Sequence, residues 1–258
     1  MYEFKEGLAC VGKNGKYGFI DRNGKTVIPL NYDRPYHNHP YSGFSSGSFN
    51  QGLTLVNKNN SFGIINSKGD VVLDIEYKKF TPIQSKFSAT NYIKFSNTHY
   101  TGIINTKGKI IIPVKYNSVE FISEHLILAK ESQDTHWASH HIYRLEGKKL
   151  LSRCYYKYPF GKDGLAGITD DGKTGYINKQ GKIVIPIQYR SGGPFKQGLA
   201  RVEKRKGKHG YIDVLGNIAI PFEYYYAYDF SDGKAMVKKK KGDFFYINSK
   251  GECVKNCE

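Results

Sequence analysis

Thr174-Gly175-Tyr176-Ile177-Asn178-Lys179-Gln180-Gly181-Lys182-Ile183-Val184-Ile185-Pro186-Ile187-Gln188-Tyr189 is a phrase that this chain repeats. The same grammar runs from Tyr17-Gly18-Phe19-Ile20-Asp21 through Gly24 and Val27-Ile28-Pro29 to Tyr32. Its second glycine recurs at Gly24, Gly69, Gly108, Gly147, Gly181, Gly216 and Gly251, at intervals of 34 to 45 residues. A period of that size marks a repeat architecture, in which each copy buries its apolar face only against its neighbours.

A second phrase opens the repeats. Phe4-x-x-Gly7-Leu8-Ala9-x-Val11 returns as Phe49-x-x-Gly52-Leu53-x-x-Val56, as Phe195-x-x-Gly198-Leu199-Ala200-x-Val202 and as Phe230-x-x-Gly233-x-Ala235-x-Val237. Short runs rich in Val, Ile, Tyr and Phe, bounded by Gly, Asn, Asp and Pro, predict strands. Three fall in each repeat: strand a on Gly-Leu-Ala-x-Val, strand b on Gly-aromatic-Ile and strand c on Val-Ile-Pro. Between b and c, Asp21 with Gly24, Asn66 with Gly69 and Asp213 with Gly216 predict a type I turn. Its first side chain caps backbone N–H groups and its glycine takes the left-handed position.

The glycine inside strand b (Gly18, Gly63, Gly102, Gly175, Gly210) predicts a close approach by a ring or backbone of the adjacent repeat. Proline near the end of strand c has no N–H and predicts the end of the ladder there. The fourth copy is decayed: His141 replaces the strand glycine, while Ile142, Tyr143, Gly147, Leu150, Leu151 and Tyr155 keep the frame. The seventh, Phe245-Tyr246-Ile247-Asn248 with Gly251, stops soon after its last strand begins.

These phrases resemble the bacterial WG-repeat family, whose signature is Trp-Gly, a hydrophobic pair, Asp or Asn, a turn glycine and Val-Ile-Pro-x-x-Tyr. The resemblance runs from Phe4 to Glu258. One departure is consistent: Tyr17, Phe62, Thr101, Thr174 and His209 stand where the family has tryptophan. The resemblance implies an all-β repeat protein with an interaction role and no catalytic residues.

The expected fold is a tandem array of about seven three-stranded β units forming a single domain over 1–258. Their bounds are 4–48, 49–86, 87–120, 121–159, 160–194, 195–229 and 230–258. An open, curved array is expected, because repeats near 35 residues are short for four-stranded blades of about 40–45. The alternative is a closed seven-bladed propeller.

The chain has 258 residues and a formal charge of +16, carried by 32 lysines and 7 arginines spread over both halves. Abundant Lys, Asn, Ile and Tyr together are also what an AT-rich genome produces. No apolar run reaches the ~18 residues of a membrane span. The start, Met1-Tyr2-Glu3-Phe4, lacks the basic-then-apolar form of a signal peptide, which favours a cytoplasmic protein, although a chain with its leader removed would read the same. Cys10 and Cys154 read as small core residues. Cys253 and Cys257 read as a local disulfide or as free thiols, and the four cysteines make neither a disulfide framework nor a zinc site.

Position within the repeat localises the charge. The a–b joins hold Lys13, Asn14 and Lys16 in the first repeat and Asn57, Lys58, Asn59 and Asn60 in the second. In the sixth they hold Lys204, Arg205, Lys206 and Lys208, and in the seventh Lys238, Lys239, Lys240 and Lys241. Stacked in register, these eight cations would form a basic ridge that attracts acidic partners; Asp170 and Asp171 interrupt it in the fifth repeat. The more economical reading is a solvated lysine edge that keeps strands from pairing between molecules.

The regular tyrosines (Tyr32, Tyr77, Tyr116, Tyr155, Tyr189, Tyr224) read as packing sites. Irregular ones read as contact candidates: Tyr36 and Tyr41 in the insertion after Tyr32, Tyr156 and Tyr158, and Tyr225, Tyr226 and Tyr228. A second insertion, Glu131 to His141, holds the only tryptophan, Trp137. Loops that interrupt a repeat map to one face, often the binding face. His37 with His39, or His136 with His140, could meet a metal, but no cysteine or carboxylate cluster accompanies them, so neither metal nor cofactor is expected. No Ser-His-Asp grammar, phosphate-cradling glycine loop or His-Glu-x-x-His appears, so no catalytic residue is assigned.

The sequence thus leads to a non-enzymatic scaffold for a protein partner. The alternatives are capture of an anionic polymer, nucleic acid or acidic glycan, on the basic ridge, and inhibition of a bacterial toxin. The oligomeric state is not legible.

Overall fold

A computed structural model describes residues 3–35, 46–82, 92–131 and 139–257. These residues are all-β, in six antiparallel sheets. They divide into two compact units, one of Met1–Val119 with Lys130–Gln133, the other of Glu120–Ala129 with Asp134–Glu258.

The first unit holds three sheets. β1 (Leu8–Lys13), β2 (Lys16–Asp21) and β3 (Thr26–Tyr32) make one, and β4 (Leu53–Lys58), β5 (Ser61–Asn66) and β6 (Val71–Tyr77) the next. The third is ordered β10-β9-β8-β7, from β7 (Lys79–Pro82), β8 (Tyr92–Ser96), β9 (Thr101–Asn105) and β10 (Ile110–Tyr116). β11 (Ser118–Phe121), β12 (Leu126–Lys130), β13 (His140–Arg144), β14 (Lys149–Tyr158), β15 (Leu165–Asp170), β16 (Lys173–Asn178) and β17 (Ile183–Tyr189) form one seven-stranded sheet. β18 (Ser191–Gly192), β19 (Leu199–Arg205), β20 (Lys208–Asp213) and β21 (Ile218–Tyr224) follow. The last sheet is β22 (Tyr226–Ala227), β23 (Ala235–Lys238), β24 (Phe245–Ile247) and β25 (Cys253–Lys255).

Strands a, b and c appear in all seven repeats, and from the third repeat onward a fourth joins them. Just after a repeat tyrosine, the two- to four-residue strands β7, β11, β18 and β22 cross to pair with strand a of the next repeat. The ten residues of β14 do both jobs, and so fuse the fourth and fifth repeats into one sheet. The crossing is stapled by one recurring bond, in which the N–H after the tyrosine donates to strand a. Asp33 donates to Asn57 O (2.9 Å), Lys78 to Ser96 O (2.8 Å), Asn117 to Lys130 O (2.9 Å), Arg190 to Glu203 O (2.8 Å) and Tyr225 to Lys238 O (2.8 Å). Two residues further on, one side chain or glycine is buried each time: Pro35, Phe80, Val119, Gly192 and Ala227. So short a strand fits inside a 35-residue repeat.

The b–c turn is as expected. Asp21 Oδ1 accepts from the N–H of Asn23 and Lys25, both at 2.9 Å, and Asn66, Asn105, Asn178, Asp213 and Asn248 repeat the pattern. The turn glycines have φ from 78° to 90°, a left-handed conformation that disfavours any Cβ. They also carry the stacking. A Cβ on Gly216 would meet Ile185 at 3.3 Å and one on Gly251 would meet Ile220 at 3.3 Å, each on strand c of the preceding repeat. A Cβ on Gly24 would meet nothing within 4 Å.

Two expectations are corrected. The glycine of strand b is not packed on by the adjacent repeat: a Cβ on Gly18 would fall 2.4 Å from Ile28 O, and one on Gly210 2.6 Å from Ile220 O, the backbone of its own strand c. Nor does proline end the ladder. Tyr17 pairs with Tyr32 and Phe19 with Ile28, so two extra residues of strand c bulge over Gly18 before pairing resumes at the tyrosine. A bulge of this kind re-aims side chains and brings carbonyls over the facing strand. Gly63, Gly102 and Gly175 lie under the same bulge.

In the fourth repeat the bulge has one extra residue rather than two, since Ile142 pairs with Leu151 but His140 with Cys154. The buried His141 therefore fits where glycine is otherwise needed. The shift has a second effect: Cys154 turns inward (2% exposed) and Tyr155 outward (40% exposed). Of the six regular tyrosines, Tyr77, Tyr116, Tyr189 and Tyr224 are buried as expected and Tyr32 is half-buried, but Tyr155 is not a core residue.

Successive repeats also share aromatic pairs. The Phe of the opening phrase packs edge-on against strand b of the repeat before it: Phe49 on Phe19, Phe195 on Tyr176 and Phe230 on Tyr211, with centroids 4.8–4.9 Å apart. Tyr176 and Tyr211 additionally donate their hydroxyls to Gly193 O and Tyr228 O on the crossing segment, each at 2.7 Å. Burial raises both phenol pKa values, so both remain neutral donors.

Candidate binding face

The a–b joins are tighter than loops. Asn14-Gly15, Asn59-Asn60 and Asp171-Gly172 all have positive φ, as two-residue hairpin turns that match strand twist require. Asp171 therefore sits in the fifth repeat for turn geometry, which explains the interruption of the basic residues there.

In the sixth repeat the turn is Lys206-Gly207, with Arg205 paired across it to Lys208. Lys204, Arg205, Lys206 and Lys208 are all exposed. Like charges directly opposite each other destabilise a hairpin, so nothing in the strand pairing requires them. In the seventh repeat Lys239, Lys240 and Lys241 are exposed on the irregular join of β23 to β24, and Lys238 is half-buried, its Nζ 5.3 Å from the Phe244 ring centroid.

One residue brings the two basic segments together. A Cβ on Gly207 would strike the Tyr225 ring at 2.7 Å, while the Tyr225 N–H is the donor to Lys238 O. Tyr225 thus lies against the turn of one basic segment and on the backbone of the other. Beside it the crossing segment exposes more rings: Tyr225, Tyr226 and Tyr228 are 38%, 49% and 51% exposed. They form one cluster with the half-buried Phe244. Tyr225 meets Tyr226 at 4.9 Å and 82°, and Phe244 lies 6.2 Å from both Tyr226 and Tyr228, at 40° and 60°.

Two depressions open in the sixth and seventh repeats. One, about 260 Å³, is lined by Arg201, His209, Tyr226, Ala227, Tyr228 and Asp229. Arg201 Nε stands 3.4 Å from Asp229 Oδ1, and His209 Nε2 lies 4.0 Å from Glu203 Oε1. Burial lowers the His209 pKa and Arg201 adds to that, against the opposing pull of Glu203. Its Nδ1 is buried without a hydrogen-bond partner. The other depression, about 270 Å³, is lined by Lys239, Lys241, Gly242, Asp243, Phe245, Cys253 and Cys257.

Of the residues expected at a site, Tyr225, Tyr226 and Tyr228 cluster with Phe244, which Lys238 approaches, and Tyr225 lies on the turn that Lys206 and Gly207 form. Tyr36, Tyr41 and Trp137 lie outside the described residues, as do His37, His39 and His136. Tyr156 and Tyr158 do not join this face. Tyr158 is half-buried against Gly167, with its hydroxyl bonded to Gly192 O at 2.7 Å. His140 is buried and accepts the Tyr156 N–H at 2.9 Å. Among the described residues no group of three His, Cys, Asp or Glu could hold a metal, and no helix is long and apolar enough to cross a membrane. Phe244, Arg201, His209 and Asp229 were not singled out from the sequence. Phe244 stands at the position of Thr174 and His209, seven residues before the turn glycine.

Stacked β repeats with a basic, aromatic face define a β-repeat domain with no catalytic family assignment. The WG containing repeat model matches residues 1–17, 17–38, 62–90, 102–131, 175–208 and 210–242, more than half of the chain, and the chain belongs to that family. No curated protein matches it. Solved structures similar to it include the computationally designed Ika8 protein, at 11% identity over 95% of this chain and 82% of that one (TM-score 0.29). A eukaryotic initiation factor structure matches at 10% identity over 98% and 74% (TM-score 0.34). BamB from Moraxella catarrhalis matches at 7% over 98% and 83% (TM-score 0.32). Likeness at this level carries no inference about function.

Proposed function

We propose that this WG-repeat domain is a non-enzymatic scaffold that docks a protein partner on the face of Tyr225, Tyr226, Tyr228 and Phe244, with the lysines of the sixth and seventh repeats as its rim. The observation that carries this reading is the exposure of three neighbouring tyrosines. Aromatic residues ringed by polar groups supply most of the energy at protein interfaces. The rings pack against one another at steep angles, which leaves fewer free faces than a base-stacking platform needs. The rim favours an acidic partner and speeds its approach.

The eight cations support a second reading, capture of an anionic polymer, because Arg205 facing Lys208 costs the hairpin stability unless an anion relieves it. Capture from nuclease-treated lysate at low and physiological salt separates the two. Wild type is compared with a variant carrying serine at Lys204, Arg205, Lys206, Lys208 and 238–241. A discrete protein retained by both at physiological salt supports the scaffold. Binding that vanishes with the cations, and weakens with a log–log salt slope of about −0.9 per phosphate on duplex DNA, overturns it in favour of the polymer.

A further inference from the structure

The seventh repeat closes differently from the others. Strand c spans seven residues in the first, second, third, fifth and sixth repeats and returns, past its bulge, to a repeat tyrosine, which is buried at Tyr189 and Tyr224. β25 has three residues, all exposed, and Asn256 follows it where Pro186 and Pro221 stand in the two repeats before. Only Ile247 with Cys253 and Tyr246 with Lys255 pair it to β24. What holds its far end is the Cys253–Cys257 disulfide, which folds the chain back through Asn256 at φ 57°. The Cys253–Cys257 link thus closes around Asn256, directly after the last strand pair of the seventh repeat.

The chain's four cysteines divide sharply. Cys10 and Cys154 are buried, and burial pushes both thiols up to about 11, so they are poor nucleophiles. Cys253 and Cys257 are exposed and line an open depression with Lys239 and Lys241, with Asp243 the one carboxylate among the described lining residues. Neighbouring ammonium groups stabilise a thiolate, and exposed disulfides are the readily exchanged ones.

We propose that Cys253–Cys257 is a redox-modified clasp: thiol exchange opens it, releases β25 from β24 and reshapes the depression that Lys239, Lys241 and Phe245 share with it. The reductant is a low-molecular-weight monothiol. Its thiolate attacks one sulfur, giving a mixed disulfide and releasing the other cysteine as thiolate. A second monothiol attacks the mixed disulfide at its own sulfur, frees the remaining cysteine and leaves as the oxidised dimer. Two electrons pass to the protein, and the two thiol protons end on the two cysteines. The clasp is independent of what the binding face takes.

The test uses the whole chain in glutathione buffers of graded potential, with alkylation and mass spectrometry for the thiols and amide exchange for the strand. Reducing glutathione is expected to expose Cys253 and Cys257 to alkylation without denaturant, while Cys10 and Cys154 stay unmodified. Exchange at 245–247 and 254–255 should accelerate at least about tenfold, as for a locally opened element, with the rest of the chain unchanged. Cys253→Ser with Cys257→Ser should show the same acceleration without reductant. A pair that resists reducing glutathione, or a dithiol and a serine variant that exchange as slowly as the oxidised protein, overturns the proposal.

Discussion

Arg190-Ser191-Gly192-Gly193 and Tyr225-Tyr226-Ala227-Tyr228 occupy the same place in two successive repeats. Each crosses after a buried tyrosine, and its first N–H donates to strand a at 2.8 Å. Its third residue is buried, and its last carbonyl accepts a tyrosine hydroxyl at 2.7 Å. Its last N–H donates to strand a again, Gly193 to Arg201 O at 2.8 Å and Tyr228 to Met236 O at 3.0 Å. Arginine, serine and glycine satisfy every one of those bonds. The exposed tyrosines of the second segment are therefore surplus to the fold, and a large apolar surface that the fold does not need is evidence of contact with something else. The shared frame and the surplus rings separate stability from function.

The largest effects should come from breaking the frame. Tyr224→Ala empties a fully buried site where Phe245 packs at 6.2 Å, and should cost about 3–5 kcal/mol in chemical denaturation. Gly210→Ala puts a methyl group against Ile220 O and should cost about 3 kcal/mol, because the bulge must move. An alanine at His141 should not incur that clash penalty, since the shorter bulge already houses a larger residue. Tyr211→Phe removes only the hydroxyl on Tyr228 O and should cost about 1 kcal/mol.

A smaller effect is set by pH. The folded state holds His209 below its ordinary pKa, so between the two values the unfolded chain binds more protons. Stability should then rise with pH through the ordinary histidine range and level off above it. His209→Gln should flatten that part of the profile in thermal melts at graded pH, and an unchanged slope would show that another group sets it.

The sequence carried the frame because its demands fall on single residue types at a fixed period. A left-handed turn needs Gly24 or Gly216, and a two-residue bulge needs Gly18 or Gly210 beneath it. Why those strand glycines recur was misread, since their partner is a backbone carbonyl on the same repeat, and carbonyls have no sequence signature. The crossing strand was also missed: one buried position, variously Pro35, Phe80, Val119, Gly192 and Ala227, holds no common residue type. The inversion of Cys154 and Tyr155 follows from a one-residue change in register, invisible in residues that keep their spacing. The basic half of the face was legible as runs of lysine, and Tyr225, Tyr226 and Tyr228 stood out as irregular. Their union was not, because it depends on Tyr225 reaching Gly207.

The most direct measurement transplants one segment's exposed residues onto the other, Tyr226→Ser with Tyr228→Gly, and follows both stability and capture of the partner at physiological salt. Surface changes of this kind leave stability within about 1 kcal/mol, and the account predicts that outcome together with loss of the partner. A variant that keeps wild-type binding would contradict the claim that these rings are the docking face, and one that unfolds would show that they belong to the frame.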